Sequence, residues 1–171
     1  MKNGRLIALS ALTSALGVIF LVFGAYFQTF DLSCLFMACI CIMFPLSKNS
    51  VKGALLSYFA ILLLSFIFTA GRFYVSILFG IFFGLYPIVN YFELKKDRPI
   101  IWVKILKCIW FVITIAVMVY LFRIFTAPNE FIDKILPYIV IFGGIVGFVV
   151  FEFIMLRFQK MTKILIERLK L

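Results

Sequence analysis

Long apolar stretches are the feature that most limits what this chain can fold into. A helix that crosses a bilayer needs about 20 consecutive apolar residues, whereas barrel strands alternate apolar and polar positions, which these stretches do not. We therefore predict an all-α integral membrane protein, a six-transmembrane-helix bundle forming a single domain over residues 1–171. The six stretches run approximately over 6–27, 32–47, 53–70, 73–92, 100–124 and 135–156.

The composition supports lipid as the solvent. Hydrophobic residues make up 65% of the chain and charged residues only 14%, whereas a soluble domain is about half apolar and a quarter charged. The first stretch is too long for a secretory signal, and no small-residue cleavage site with a polar mature region follows it. We expect it to be retained as a membrane helix.

The basic residues predict an orientation. With the N-terminus inside, 14 of the 17 Lys and Arg residues lie on the cytoplasmic side, which leaves Arg72, Arg123 and Lys134 outside. Positive charge near short loops marks the cytoplasmic face, so both termini are predicted to be cytoplasmic. The net charge of +10 then indicates contact with anionic headgroups of the lipid bilayer, and no binding of nucleic acid.

The last residues, 157–171, are predicted to form a basic amphipathic cytoplasmic tail. Met161, Ile164, Leu165 and Leu169 recur at helical spacing among lysines. Such a helix lies on a membrane surface. Two interpretations stay open for the tail: an anchor to headgroups, or a docking surface for a cytoplasmic partner.

Several kinds of chemistry are missing from the sequence. The chain has no His, which removes His-ligated metal sites and Ser–His or Cys–His catalytic pairs. It also has no glycine-rich GxxxxGK[ST] loop. Cys34, Cys39, Cys41 and Cys108 lack paired CxxC spacing and are expected to be small core residues. We predict a non-enzyme without metal or cofactor.

Asn90 and Glu152 are the candidate intramembrane polar residues, and Glu152 is the one acidic residue inside a predicted span. An ionisable group within a membrane needs a partner and is a functional hypothesis by default. Lys104 and Lys107 are the nearest candidate partners of Glu152 by depth, and a structural ion pair and a role in coupling are both open. Pro87 is expected to kink the fourth span because it removes a helical hydrogen bond.

The first span contains an unusual run of small residues, "ALTSALG" at 11–17. On a helical wheel Ala8, Ala11 and Ala15 fall together, with Ser14 beside them, on the side opposite most of the bulky residues. Small side chains let two helices approach closely in lipid. The face packs either on this chain, where "GGIVG" at 143–147 is a candidate mate, or on another subunit. The predicted partner-docking residues are Ala8, Ala11, Ser14 and Ala15.

The layout and the AxxxA motif in "ALTSALG" resemble the substrate-binding S components of energy-coupling factor (ECF) transporters, which are bacterial vitamin-uptake subunits. "RLIALSALTSALGVIF" and "KGALLSYFAILLLSF" look like the first and third helices of that family, and "FGIFFGLYPIVNYFELKK" is similar to a segment of S-component-like membrane proteins. The resemblance implies a multi-pass protein of the bacterial cytoplasmic membrane. It would capture a small-molecule ligand and dock on a membrane coupling subunit with its ATPases.

The resemblance also implies where the ligand would bind. In S components it enters from outside and is held by the outer halves of the helices and the loop after the first span. Arginine offers a planar fork to a carboxylate or phosphate, although Arg and Tyr also decorate membrane interfaces. The residues expected at such a site are Gln28, Asp31, Arg72, Tyr74, Tyr120, Arg123, Glu130 and Tyr138.

Two other functions remain open from the sequence. One is a membrane scaffold that recruits cell-envelope machinery, similar to rod-shape-determining proteins. The other is a stand-alone small transporter or lipid-interacting protein.

Overall fold

The computed structural model of the chain describes residues 2–69, 71–95, 101–123 and 130–168, and within these ranges it is helical without a strand. The helices are α1 (Lys2–Tyr26), α2 (Asp31–Ser47), α3 (Val51–Phe68), α4 (Tyr74–Leu78), α5 (Tyr86–Lys95), α6 (Ile101–Arg123) and α7 (Glu130–Arg168). A 3-10 turn, Gln28–Phe30, precedes α2, and a π-helical segment, Phe79–Phe83, follows α4.

The predicted all-helical class is confirmed. Four segments of the described chain are long and apolar enough to cross a membrane, and α2 is a shorter apolar helix of 17 residues. The count of six spans and the cytoplasmic orientation of the termini stay predictions. The four segments are Leu6–Tyr26, Val51–Phe68, Tyr74–Lys95 and Leu136–Ile164.

The segment Tyr74–Lys95 is irregular at its centre. Pro87 has no backbone N–H to donate, so the preceding turn cannot keep regular α-helical bonding. The deviation begins well before the proline, because the Gly84 N–H donates to the Phe79 carbonyl at 2.7 Å across a π turn. A Cβ at Gly84 would lie 2.6 Å from the Tyr58 ring. Glycine therefore lets α3 approach the backbone where the helix is distorted.

The two short connections on either side of α3 are tight turns. Asn49 adopts a left-handed backbone with φ of 57°, and the Ser50 hydroxyl accepts from the Gly53 N–H at 3.1 Å, which caps the start of α3. At the other end, Gly71 has φ of 95°, a conformation that glycine adopts without steric cost. This second turn joins the third and fourth apolar stretches.

Helix α2 is the centre of the packing, and it contacts α1, α3, α5 and α7. Its side chains Leu35, Ala38 and Ile42 are fully buried. The thiols of its cysteines are free and buried, and the Cys108 thiol is free and half-buried. A second group of side chains is aromatic and joins the π-helical segment and α5 to α6 and α7: Phe82, Phe83, Tyr86, Trp110, Phe111 and Phe151.

Two hydrogen bonds between helices show which helix ends lie together at one end of the bundle. The Ser57 hydroxyl donates to the Ser10 carbonyl at 3.2 Å, which joins the early turns of α1 and α3. The Ser47 hydroxyl donates to the Thr162 hydroxyl at 3.4 Å, which joins the last turns of α2 to the late part of α7. The beginning of α1 and the end of α7 thus lie at one end, called here the terminal end.

The predicted tail belongs to the same helix as the last apolar stretch. Helix α7 continues without interruption to Arg168. Met161 and Ile164, expected on an apolar stripe, are 59% and 52% exposed, whereas Thr162 and Ile166 are buried. The face of the tail that packs on the bundle is therefore mixed in polarity. The side chain of Leu165, and Leu169, lie outside the described residues.

Candidate functional site

A buried lysine is the centre of the most unusual site in the described structure. Lys107, in the second turn of α6, is only 2% exposed. Its Nζ lies 2.5 Å from a carboxylate oxygen of Glu93 on α5 and 3.0 Å from one of Glu152 on α7. Burying a charge is unfavourable unless it is paired and hydrogen-bonded. One ammonium thus bridges carboxylates from two other helices.

Further hydrogen bonds extend from this lysine. Its Nζ donates to Asn90 Oδ1 at 3.2 Å, and the Asn90 amide donates to Gln159 Oε1 at 2.7 Å. The Tyr86 hydroxyl donates to Glu152, and the lysine nitrogen lies 5.2 Å from the centre of the Tyr86 ring. We call the connected set the polar network: Tyr86, Asn90, Glu93, Lys107, Glu152 and Gln159.

Helical spacing explains how the sequence assembles the polar network. Tyr86, Asn90 and Glu93 are four and three residues apart, so they share one face of α5. Glu152 and Gln159 are seven residues apart on α7 and also share a face. Lys107 alone projects from α6. Because every helix contributes a polar group that needs partners, the network fixes the relative rotation of α5, α6 and α7.

The charge of the polar network is not balanced by its own residues. It contains two carboxylates and one ammonium, so it carries one negative charge when all three are ionised. The aromatic group lies directly beside it through Tyr86. In the part of the chain that the structure describes, no three His, Cys, Asp or Glu side chains converge to hold a metal ion.

A pocket of about 300 Å³ opens at the terminal end, next to the polar network. Gln159 belongs to both, since its oxygen accepts from Asn90 and its side chain lines the pocket. We call this cavity the lysine pocket. Its lining consists of Leu46, Ser47, Asn49, Tyr91, Leu94, Lys95, Gln159, Lys160 and Lys163.

The small-residue face of α1 is divided between the bundle and the outside. Ser14 is buried, and its hydroxyl donates to the Ser10 carbonyl at 2.7 Å. A Cβ at Gly17 would lie 2.5 Å from Ile61 on α3. By contrast Ala8, Ala11 and Ala15, called here the alanine edge, are exposed. Leu12, Leu16 and Ile19 are exposed on the same side of α1, so the expectation that the alanines lie opposite the bulky residues is wrong.

The second small-residue motif, "GGIVG", faces a different helix. A Cβ at Gly144 would lie 3.1 Å from Val112 on α6, whereas a Cβ at Gly143 would meet nothing within 4 Å. Helix α6 is thus the neighbour that "GGIVG" approaches, and α3 is the neighbour of the buried part of the α1 motif.

Three of the residues predicted to bind a ligand lie close together at the end opposite the terminal end. Asp31 begins α2 shortly after the end of α1, and Arg72 and Tyr74 lie where the chain enters α4. Arg72 is also tied to α1, because its Nη1 donates to the carbonyls of Ala25 and Tyr26 at 3.3 and 3.4 Å. Its guanidinium lies 5.1 Å from the centre of the Tyr26 ring. Arg72 therefore caps the C-terminus of α1.

Among the other predicted ligand residues, Tyr138 is the one whose side chain the structure describes. Tyr138 is 75% exposed on α7, so its side chain faces away from the neighbouring helices. Gln28, Tyr120, Arg123 and Glu130 lie in helical segments, but their side chains are outside the described residues. The structure thus gathers Asp31, Arg72 and Tyr74 and leaves Tyr138 on the surface.

The sequence indicates Asn90 and Glu152 and offers Lys107 as one of two candidate partners, but three further members of the polar network, Tyr86, Glu93 and Gln159, are not among its predictions. Glu93 directly follows the predicted span 73–92. The spacing of Tyr86, Asn90 and Glu93 on one helical face was the available signal.

Comparison of the chain with protein-family models, with curated proteins and with solved structures found no match. The functional assignment therefore depends on the residues and geometry of this chain.

Proposed function

We propose that the chain is a substrate-binding membrane subunit of an ECF-type importer, and that it docks on a membrane coupling subunit through the alanine edge of α1. The observation that carries this proposal is the exposure of Ala8, Ala11 and Ala15 beside a buried serine and glycine face. The chain uses the adjacent face of α1 for its own packing and leaves the alanines uncovered.

The physical argument concerns close approach within lipid. Lipid tails are as apolar as leucine, so helices associate in a bilayer through packing rather than through hydrophobic expulsion. A row of methyl groups lets a second backbone come nearer than leucines would. Leu12 and Leu16, which are 62% and 43% exposed, flank the alanine edge and would form one wall of the resulting groove.

The ligand would bind at the opposite end of the bundle, near Asp31, Arg72 and Tyr74. Arginine has five N–H donors, and the hydrogen bonds described above use only Nη1. A carboxylate or phosphate of a small solute is the chemistry that such a group recognises. The tyrosine supplies a ring surface beside it.

Co-purification tests the proposal. The full chain is isolated from its own membrane in mild detergent, and associated proteins are identified by mass spectrometry. We expect a membrane coupling subunit with ATPases, and we expect their loss from the double variant Ala11→Leu and Ala15→Leu. The matched control Leu63→Ala and Ile67→Ala changes two exposed positions of α3 and should retain them. Cell-wall synthesis proteins in their place would support a scaffold and contradict the importer.

A second candidate, a stand-alone small transporter, is favoured by the polar network. Ionisable residues within a membrane commonly mark ion or proton pathways, and this network has one more carboxylate than ammonium. Reconstitution of the chain alone in liposomes separates the two candidates, because an importer subunit needs its partners for uptake. If Glu152→Gln keeps normal protein levels but abolishes uptake by the chain alone, the stand-alone transporter is supported.

A further inference from the structure

We propose that the lysine pocket binds a phosphate-bearing anion at the terminal end of the bundle. This site is separate from the ligand site at the opposite end and does not depend on the proposed importer function. The proposal starts from three lysines in the lining of one cavity. Lys95 is contributed by α5, and Lys160 and Lys163 by α7, where they are three residues apart and share a face.

The charge around the pocket is unmatched within the described part of the chain. Both ion pairs among the described residues are formed by the buried Lys107. No described carboxylate therefore pairs with Lys95, Lys160 or Lys163. Three like charges around one cavity repel one another. A bound anion would relieve this repulsion, and oxygen atoms of a phosphate can accept from several lysines at once.

Neutral groups in the lining suit the same ligand. The Gln159 oxygen accepts from Asn90, which leaves its amide N–H groups as donors on a side chain that is only 7% exposed. Tyr91 donates to Asn49 Oδ1 at 3.0 Å, so the carbonyl of Asn49 is occupied and its amide N–H groups remain donors. The lining therefore offers hydrogen-bond donors as well as positive charge.

Two kinds of molecule carry the phosphate group that the lysine pocket would bind. One is the headgroup of an acidic phospholipid, whose acyl chains would pass the apolar side chains of Leu46 and Leu94 in the lining. The other is a free phosphate compound from the aqueous phase. Basic pockets between membrane helices bind phosphorylated headgroups in other proteins, and a volume of about 300 Å³ is at the lower end of small-molecule sites.

Native mass spectrometry of the delipidated full chain tests the site, with phosphatidylglycerol and inorganic pyrophosphate as separate probes and phosphatidylcholine as the neutral lipid. The test variant is Lys160→Gln with Lys163→Gln. The control, Lys52→Gln with Lys104→Gln, removes the same charge from two exposed lysines that do not line the pocket. We expect the test variant to bind the preferred probe about tenfold more weakly and the control to change less than twofold.

The outcomes distinguish the sources. Binding of phosphatidylglycerol alone assigns a lipid headgroup, and binding of pyrophosphate in the absence of lipid assigns a soluble anion. Lys160→Arg with Lys163→Arg should preserve binding, because it keeps the positive charge at both positions, and an unchanged melting temperature of the glutamine variant shows that its loss of binding is not caused by misfolding. Equal weakening in the test and control variants, or no preference of the wild type for either anion over phosphatidylcholine, would overturn the proposal.

Discussion

Lys107 on α6 and Glu152 on α7 form an ion pair of 3.0 Å between side chains that are 2% and 12% exposed. The same ammonium also reaches Glu93 on α5. Three helices are thus connected through one lysine nitrogen. Buried ion pairs contribute little net stability compared with apolar residues of the same shape, but removing one partner alone leaves an uncompensated charge. The pair therefore makes the arrangement of the helices sensitive to single substitutions.

Replacing Lys107 with Met should be strongly destabilising. The substitution keeps most of the side-chain volume but leaves Glu93 and Glu152 without a cation, and we expect a loss of about 3–5 kcal/mol in the free energy of unfolding. The melting temperature in detergent, followed by size-exclusion chromatography after heating, should fall by about 10 °C.

The matched control is Lys104→Met, which removes the same charge one turn earlier on an exposed face of α6. It should change the melting temperature by no more than about 2 °C. If the two lysine variants melted alike, Lys107 would not be the bridge between the carboxylates.

Removing the Tyr86 hydroxyl should have a smaller effect. Tyr86→Phe keeps the ring in the aromatic group but deletes the donor to Glu152. Hydrogen bonds to charged groups contribute about 1.5–3 kcal/mol, so thermal denaturation should show a loss in that range. Tyr91→Phe, which deletes an exposed hydrogen bond to Asn49, should cost less than about 1 kcal/mol, and a larger loss from Tyr91→Phe than from Tyr86→Phe would contradict the network.

Apolar periodicity was sufficient to predict the helices but not their neighbours. The predicted stretch 53–70 corresponds to α3, Val51–Phe68, and 100–124 to α6, Ile101–Arg123, because each is a continuous apolar run bounded by polar or turn residues. The irregularity expected at Pro87 extends back to the π-helical segment Phe79–Phe83, where Gly84 lets Tyr58 approach closely. That contact joins distant parts of the sequence and has no local signal.

The candidate site could likewise be predicted only in part. A lone acid in an apolar run is visible from sequence, so Glu152 and the need for a partner were predicted. Which of Lys104 and Lys107 faces it depends on the rotation of α6, which the sequence does not reveal. The lysine pocket depends on three segments meeting at one end of the bundle, and no single segment contains it.

Glycine 84 should be intolerant of a side chain. Gly84→Ala would place a Cβ within 2.9 Å of Phe79 and nearer still to the Tyr58 ring, and overpacking of this kind costs about 1–3 kcal/mol. Gly143→Ala is the control because it meets nothing within 4 Å, and Ala is the better helix former. Thermal denaturation should separate the two variants, and equal melting temperatures would contradict the packing of α3 against the π-helical segment.

Larger side chains in the two parts of the α1 motif should have different effects on the stability of the fold. Gly17→Leu would clash with the buried Ile61, so we expect it to destabilise the fold by about 1–3 kcal/mol. Ala15→Leu adds bulk to an exposed position and should leave stability within about 0.5 kcal/mol of wild type. Denaturation of both variants in the same detergent checks this, and loss of folded Ala15→Leu would mean that the alanine edge packs internally.

Photocrosslinking in the native membrane tests the central claim most directly. Benzoylphenylalanine is introduced in place of Ala15 on the alanine edge, and in a second variant in place of Leu63, which is 63% exposed on α3. Each variant is made in the full chain and is expressed from its own locus in the native cells. We predict a crosslinked product with one other membrane polypeptide from position 15 and none from position 63. Crosslinks to lipid alone at position 15, or the same products from both positions, would contradict docking through the alanine edge.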